Sequence, residues 1–443
     1  MEAEIGFVCE PVFGEMPHHS LLGDIGKPTG GPLLGRQMTS VPCRRVLKVR
    51  SFILLPLVLG ASAAVAAPSP TILDYRHHMF EGPMMSLANR TIEMMFDTAR
   101  VDAGARAAPL TGHSLPPDFT YDFEGRTHPA EDVLERTATD ALLIMKDGRI
   151  VYEKYLNRAA ADTHFISYSM AKTFNSIMLG FAIRDGAVRS VADPLIKYVP
   201  ELKGSAYDGT TLRDLLRMRS GTDWNDNFFV PGPAKDINEQ AFIRNEARYV
   251  SAAAWPMRKS RPGTAFNYNT VDAALIGLVI ERATGKPISR YMSERLWRPA
   301  GMQSYAFYVL DGPPGVGREF TGGGFNAVLR DYGRVGQLML NEGMANGQRL
   351  LDPAWIREST ADSDPATSAR PGLGYGYFWW TLKGTRAYVA IGGEGQFLFV
   401  DPDTRTVIVK LSHAAVGPGS EKITDESLAF FRAASAWKAE GGR

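Results

Sequence analysis

Ser169 and Lys172 stand three residues apart in Ser-Met-Ala-Lys, at the head of a segment whose apolar residues Phe174, Ile177, Met178, Phe181 and Ala182 recur at helical spacing. On a helix, residues i and i+3 share a face, so the hydroxyl and the amine come within reach of each other. A lysine buried at such a place has its charged form disfavoured by lost solvation, and its neutral amine can take the serine proton. That pairing activates a nucleophile without a histidine. Backbone N–H groups at the helix start, with the helix dipole behind them, favour negative charge where an attacked carbonyl becomes an oxyanion.

The same Ser-x-x-Lys pattern occurs again at Ser435-Ala436-Trp437-Lys438. Spacing cannot separate the two, but context does. The first follows a sheet element and opens an apolar helix, whereas the second sits near the end of the chain beside Glu440 and reads as a solvated helix face. His164 precedes the helix and reads as structural. The chain has no Gly-x-Ser-x-Gly elbow, His-Glu-x-x-His pair, phosphate-binding Gly-Lys-Ser/Thr loop or dinucleotide glycine pattern, so neither a metal nor an organic cofactor is expected.

The elements that must position Ser169 follow from periodicity. Ala141–Met145 and Arg149–Glu153 flank Lys146-Asp147-Gly148, two apolar strands around a tight turn. The helix from Ser169 stops at Gly186. Residues 193–343 read mainly as short helices broken by Pro and Gly: Thr211–Met218, Val271–Ala283, Ile288–Leu296 and Arg330–Asn341. Strands return at Tyr377–Leu382, Ala387–Ile391, Gln396–Val400 and Thr406–Leu411, and Glu426–Trp437 reads as a closing helix. Strands at both ends with helices between them predict an α/β (α+β) fold, an antiparallel sheet flanked by helices with a mostly helical domain inserted.

The domain limits expected are 1–66 for a leader and signal peptide, 67–135 for an extended arm of low order, 136–192 with 344–443 for the α/β domain, and 193–343 for the helical domain. Arg44, Arg45, Lys48 and Arg50 precede the apolar run Phe52–Ala67, which is shorter than the roughly 20 residues that span a bilayer and contains Pro56. It reads as a secretory signal cleaved after Ala66, with translation starting at Met38, so an exported protein with no stable membrane span is expected. Both cysteines, Cys9 and Cys43, precede that cleavage site, which leaves the mature chain without disulfide or thiol chemistry. The 443 residues carry a formal net charge of +1 with mixed signs, which argues against nucleic acid as a partner.

Four blocks fall in a telling order: His164–Phe174, Asp193–Leu202, Thr211–Leu216 and Ser220-Gly221. They resemble the β-lactamase-related serine hydrolases, which include class C β-lactamases, D-Ala-D-Ala peptidases, esterases and 6-aminohexanoate-dimer hydrolases. The resemblance spans residues 136 to 415 and implies a β-lactamase/transpeptidase-like fold. It makes Tyr268, in Asn267-Tyr268-Asn269-Thr270, the counterpart of the family's proton-relaying tyrosine. Thr270 stands where the family's Tyr-x-Asn has asparagine, and lacks that amide's two-ended reach towards a substrate carbonyl. Ala390-Ile391-Gly392 takes the place of Lys-Thr-Gly or His-x-Gly, with no cation to hold a substrate carboxylate. The amide of Gly393 is then the second oxyanion donor beside that of Ser169. Trp224 and Phe228 are expected to wall an apolar pocket, and Tyr375, Tyr377, Trp379 and Trp380 to serve packing.

These readings converge on hydrolysis of a small-molecule ester or amide through an acyl-enzyme, esterase-like or 6-aminohexanoate-oligomer-hydrolase-like. The catalytic set is Ser169, Lys172, Tyr268 and Gly393; Trp224, Phe228, Thr270, Ile391 and Gly392 line the substrate site. A β-lactamase or D-Ala-D-Ala carboxypeptidase, an acyltransferase, and a catalytically silent binding protein for cell-wall peptides are the alternatives.

Overall fold

The computed structural model describes residues 68–313, 315–363, 370–415 and 419–439. The expected leader, signal segment and cleavage site lie outside the described residues. Among those described, no helix is long and apolar enough to cross a membrane.

The chain begins with helices α1 (Pro70–His78), α2 (Met85–Ala88) and α3 (Ile92–Met95), then strands β1 (Thr98–Val101), β2 (Thr111–Gly112) and the hairpin β3 (Thr120–Phe123) and β4 (Arg126–Pro129). Residues expected as an arm of low order thus form short elements, each docked elsewhere. Their contacts are long-range, which is why local periodicity does not announce them. Helix α4 (Asp132–Arg136) leads into β5 (Thr139–Lys146) and β6 (Arg149–Tyr155). Asp147 (φ 47°) and Gly148 (φ 79°) both take positive φ in the turn between them, the two-residue hairpin geometry that suits strand twist.

Strand β7 (His164–Ile166) delivers the chain to α5 (Met170–Arg184). There follow α6 (Leu212–Leu216), α7 (Pro233–Asn238), α8 (Thr270–Thr284), α9 (Ile288–Met292), β8 (Ala306–Val309), β9 (Phe325–Val328) and α10 (Leu329–Leu340). The stretch 193–343 is therefore not helical throughout. Strands β8 and β9 join β1 and β7 in a four-stranded sheet of order β1-β8-β9-β7. After a small hairpin, β10 (Met344–Ala345) and β11 (Gln348–Arg349), and α11 (Pro353–Ser359) comes the meander β12 (Leu373–Tyr375), β13 (Trp380–Leu382), β14 (Tyr388–Gly392), β15 (Gln396–Asp401) and β16 (Thr406–Ser412). Helix α12 (Ser420–Ala436) follows it.

The main sheet has eight strands in the order β12-β13-β14-β15-β16-β5-β6-β2, joined late to early where β16 pairs antiparallel with β5. Successive side chains of β5 point to opposite faces. Ala141, Leu143 and Met145 enter the larger core with α5 and α10, while Leu142 and Ile144 pack with Phe430 and Phe431 of α12. Both faces are covered, so β5 reads as an unbroken apolar run from Ala141 to Met145 rather than an alternating one. This helix–sheet–helix arrangement places the start of α5 beside the end of β14.

Candidate active site

Ser169 is the N-cap of α5, entered from β7 through Ser167 and Tyr168. Tyr168 adopts φ 44°, a left-handed conformation that costs a side-chain-bearing residue about 1–3 kcal/mol and turns the chain sharply into the helix. Across from it, a Cβ built on Gly392 would collide with the carbonyl of Ser167 and lie 3.3 Å from the amide nitrogen of Met170. Only glycine lets the end of β14 lie this close to the Ser169 turn. A Cβ on the next residue, Gly393, would meet nothing within 4 Å, so this backbone borders open space.

Lys172 projects from the first turn of α5. Its Nζ donates to Ser169 Oγ at 2.9 Å and to the carbonyl of Gly322 at 2.7 Å, and the side chain is only 2% exposed. Burial lowers the ammonium's pKa to about 8, against the opposing attraction of Asp226. Tyr268 is set by the residue after it: Asn269 caps α8 by accepting from the amides of Val271 and Asp272. Burial holds the Tyr268 phenol well above its ordinary range, an effect that Ser169 partly offsets, and Lys172 Nζ lies 5.2 Å from its ring centre. The structure thus brings Ser169, Lys172 and Tyr268 together, with Gly392 and Gly393 opposite.

Two expected binding residues take other parts. Trp224 is buried in the core rather than walling a pocket, and its indole N–H donates to Asp226 Oδ1 at 2.8 Å. Thr270 spends its hydroxyl proton on Asp226 Oδ2 at 2.7 Å, and its amide donates to Oδ1 at 2.9 Å. A buried indole N–H and a helix-start amide both need an acceptor, and one carboxylate serves them. Phe228 remains at the rim, 38% exposed, in a cluster with Phe229 and Phe80, whose ring is 6.1 Å from that of Tyr168. Ile391 is half-buried at the end of β14, paired with Phe397.

Trp380 was expected to serve packing alone; it lies along Tyr268, ring centres 6.1 Å apart and planes 17° from parallel, and so borders the site. Tyr377 and Trp379 are fully buried. Ser435 is not on a solvated face: it is buried, donates to Asp401 Oδ2 at 2.6 Å, and Lys438 lies exposed beyond the end of α12. His164 packs against Tyr305 with the rings tilted by 35° and bonds to its carbonyl at 2.8 Å, a structural part. Asp226, Glu394 and Asn89 escape sequence reasoning. Asp226 offers the signal of an acid within an aromatic loop; the other two become neighbours only in the fold.

The model of the beta-lactamase family matches residues 130–431. The chain belongs to the beta-lactamase family. It is a hydrolase of that type, and the nucleophile's turn, α8 and the meander all fall inside the matched span. The chain is 31% identical over 296 residues to a 6-aminohexanoate-dimer hydrolase of Paenarthrobacter ureafaciens, covering 64% of this chain and 74% of the relative. A protein of Escherichia coli K12 named as a D-alanyl-D-alanine carboxypeptidase is 22% identical over 357 residues, 62% of this chain and 78% of its own. Among solved structures, a Bacillus anthracis protein named as a 6-aminohexanoate-dimer hydrolase superposes with a TM-score of 0.73 at 22% identity, covering 83% of this chain and 98% of that one. That likeness establishes the β-lactamase/transpeptidase-like fold.

Proposed function

We propose that this beta-lactamase-family hydrolase cleaves a small ester or amide through an acyl-enzyme on Ser169. The observation that carries the reading is the 2.9 Å contact between Ser169 Oγ and a lysine amine that is almost wholly excluded from water. The neutral amine of Lys172 takes the serine proton as Oγ bonds to the carbonyl carbon. The amides of Ser169 and Gly393 hold the resulting oxyanion. The bond to the leaving group breaks as the proton passes, through the Tyr268 hydroxyl, to the departing oxygen or nitrogen. Water then adds to the acyl carbon, gives its proton to the same base and releases the acid, regenerating the serine hydroxyl.

An ester or linear amide with no carboxylate close to the scissile bond is favoured over a penicillin. The segment Ala390-Ile391-Gly392 offers no cation to a carboxylate, and the exposed rings of Phe228 and Phe229 give the rim an apolar surface. Similarity to the Paenarthrobacter ureafaciens 6-aminohexanoate-dimer hydrolase points the same way. The relative named as a D-alanyl-D-alanine carboxypeptidase supports the second reading, hydrolysis of β-lactams or D-Ala-D-Ala peptides.

The test is a screen of p-nitrophenyl butyrate, linear 6-aminohexanoate oligomers and a chromogenic cephalosporin, with Ser169→Ala beside the wild type. Ester or oligomer turnover lost in Ser169→Ala, together with fluorophosphonate labelling of wild type only, supports the proposal. Cephalosporin turnover as fast as the ester favours the second reading. Equal activity in Ser169→Ala refutes the nucleophile.

A further inference from the structure

Two side-chain-bearing residues take left-handed backbone at the two turns that carry the proposed oxyanion donors. Tyr168 (φ 44°) immediately precedes Ser169, and Glu394 (φ 61°) immediately follows Gly393. Their side chains are joined through Asn89. The Tyr168 hydroxyl donates to Asn89 Oδ1 at 2.7 Å, and Asn89 Nδ2 donates to Glu394 Oε2 at 2.7 Å, so one amide bridges the two turns.

Asn89 and Glu394 are buried, and the bridge is tied down on each side. Asn89 is 2% and Glu394 5% exposed. The Asn89 carbonyl accepts from the Ile166 amide at 3.2 Å, on the strand that leads to the nucleophile. The Glu394 carbonyl accepts from the Ala414 amide at 3.0 Å. A glycine would adopt the backbone of residue 394 without strain, yet the position carries a buried acid, whose side chain therefore has a use. Burial lifts that carboxyl to about 7, against the opposing pull of the hydrogen bond it accepts from Asn89.

We infer that Asn89, Tyr168 and Glu394 are positioning residues that brace the Ser169 turn against the Gly393 turn, fixing the distance between the two oxyanion amides. The inference rests on the acyl-enzyme reading above. None of the three need touch substrate. A brace of this kind acts on the transition state, because the amides must meet the oxyanion rather than the ground-state carbonyl oxygen. Displacement of either turn therefore lowers kcat and leaves KM largely unchanged.

The experiment compares Asn89→Ala, Glu394→Ala, Glu394→Gln and Tyr168→Phe with the wild type and Ser169→Ala in the full chain. It uses p-nitrophenyl butyrate turnover, affinity for a phenylboronic acid as a tetrahedral analogue, and thermal midpoints. Asn89→Ala and Glu394→Ala are expected to lower kcat about 10- to 100-fold with KM within about threefold, and to weaken boronate binding in proportion. Glu394→Gln, which keeps the shape and an acceptor oxygen, is expected to recover most of the loss, and Tyr168→Phe to lie between. Folded variants with wild-type kcat and boronate affinity would overturn the brace, as would losses that appear only in KM. If the alanine variants do not fold, the near-isosteric Glu394→Gln and Tyr168→Phe decide on the same readouts. Ser169→Ala separates the layers: if it stays active, the acyl-enzyme reading fails, whereas if it is inactive and the brace variants are unimpaired, only the brace fails.

Discussion

At the scale of single residues, the proposed chemistry depends on the proton carried by Lys172. In that proposal the free amine is the base, and burial lowers its pKa to about 8, so the active fraction grows as pH rises through that value. The expected kcat/KM profile has an acid limb of unit slope centred near 8, read from initial rates on a neutral ester. A limb centred at 6 or below would assign the base elsewhere. Lys172→Arg keeps the charge but cannot deprotonate, and is expected to lose about 10²- to 10⁴-fold in kcat while leaving no such limb. Specificity also belongs to this scale. If Phe228 touches the acyl chain, Phe228→Ala should raise KM for p-nitrophenyl hexanoate about 3- to 10-fold relative to acetate, since each buried methylene is worth about 0.8 kcal/mol. An unchanged ratio would remove Phe228 from the substrate's path.

At the scale of elements, α5 must hold Ser169 and Lys172 in register while lying against its neighbours, and Gly180 shows how close that seat is. A Cβ there would come within 2.5 Å of Trp355 Nε1 and 2.6 Å of its Cδ1, on α11. Alanine in a helix interior gains about 0.5–1 kcal/mol over glycine, but overpacking against a rigid, buried indole costs about 1–3 kcal/mol. The packing effect is the larger, so Gly180→Ala is expected to lower the urea midpoint, and a raised midpoint would show that α11 yields. Helices α5 and α8, the β5–β6 hairpin and strands β13 to β16 were legible in the sequence because each is a periodic or apolar run, the hairpin turning at Asp147-Gly148 and α5 stopping at Gly186, whereas β12 was not expected. The four-residue strands β8 and β9 were not, since so short a run has no measurable period. The contact between Ser169 and Lys172 was legible from three-residue spacing together with the apolar helix that it opens. Asp226, Asn89 and Glu394 were not, because their importance comes from contacts between segments far apart in the chain, and Trp224 was misplaced for the same reason.

At the scale of the molecule, the residues before the family match are stitched into the rest. Arg76 of α1 is 3% exposed and donates to the carbonyls of Met95 and Phe242 and to Asn245 Oδ1, with its guanidinium 4.4 Å from the Phe96 ring centre. Arg76→Met keeps the stem but leaves these acceptors without their donor. It is expected to open residues 70–96 to limited proteolysis well before the sheet is cut. Equal protection of that segment in both proteins would mean that apolar contacts alone secure it. The main sheet carries a different consequence, one of timing. Strand β5 has its neighbour β16 only after Thr406–Ser412 has been made, and Gly393 is likewise late. At about 5–20 residues per second, the ribosome needs roughly 10–50 s between Ser169 and β16. During that interval the serine and its lysine can stand on a formed helix with nothing opposite them, and an edge strand waits unpaired. On the proposed mechanism, a chain cut off before Gly393 would carry its nucleophile with only one of the two oxyanion donors.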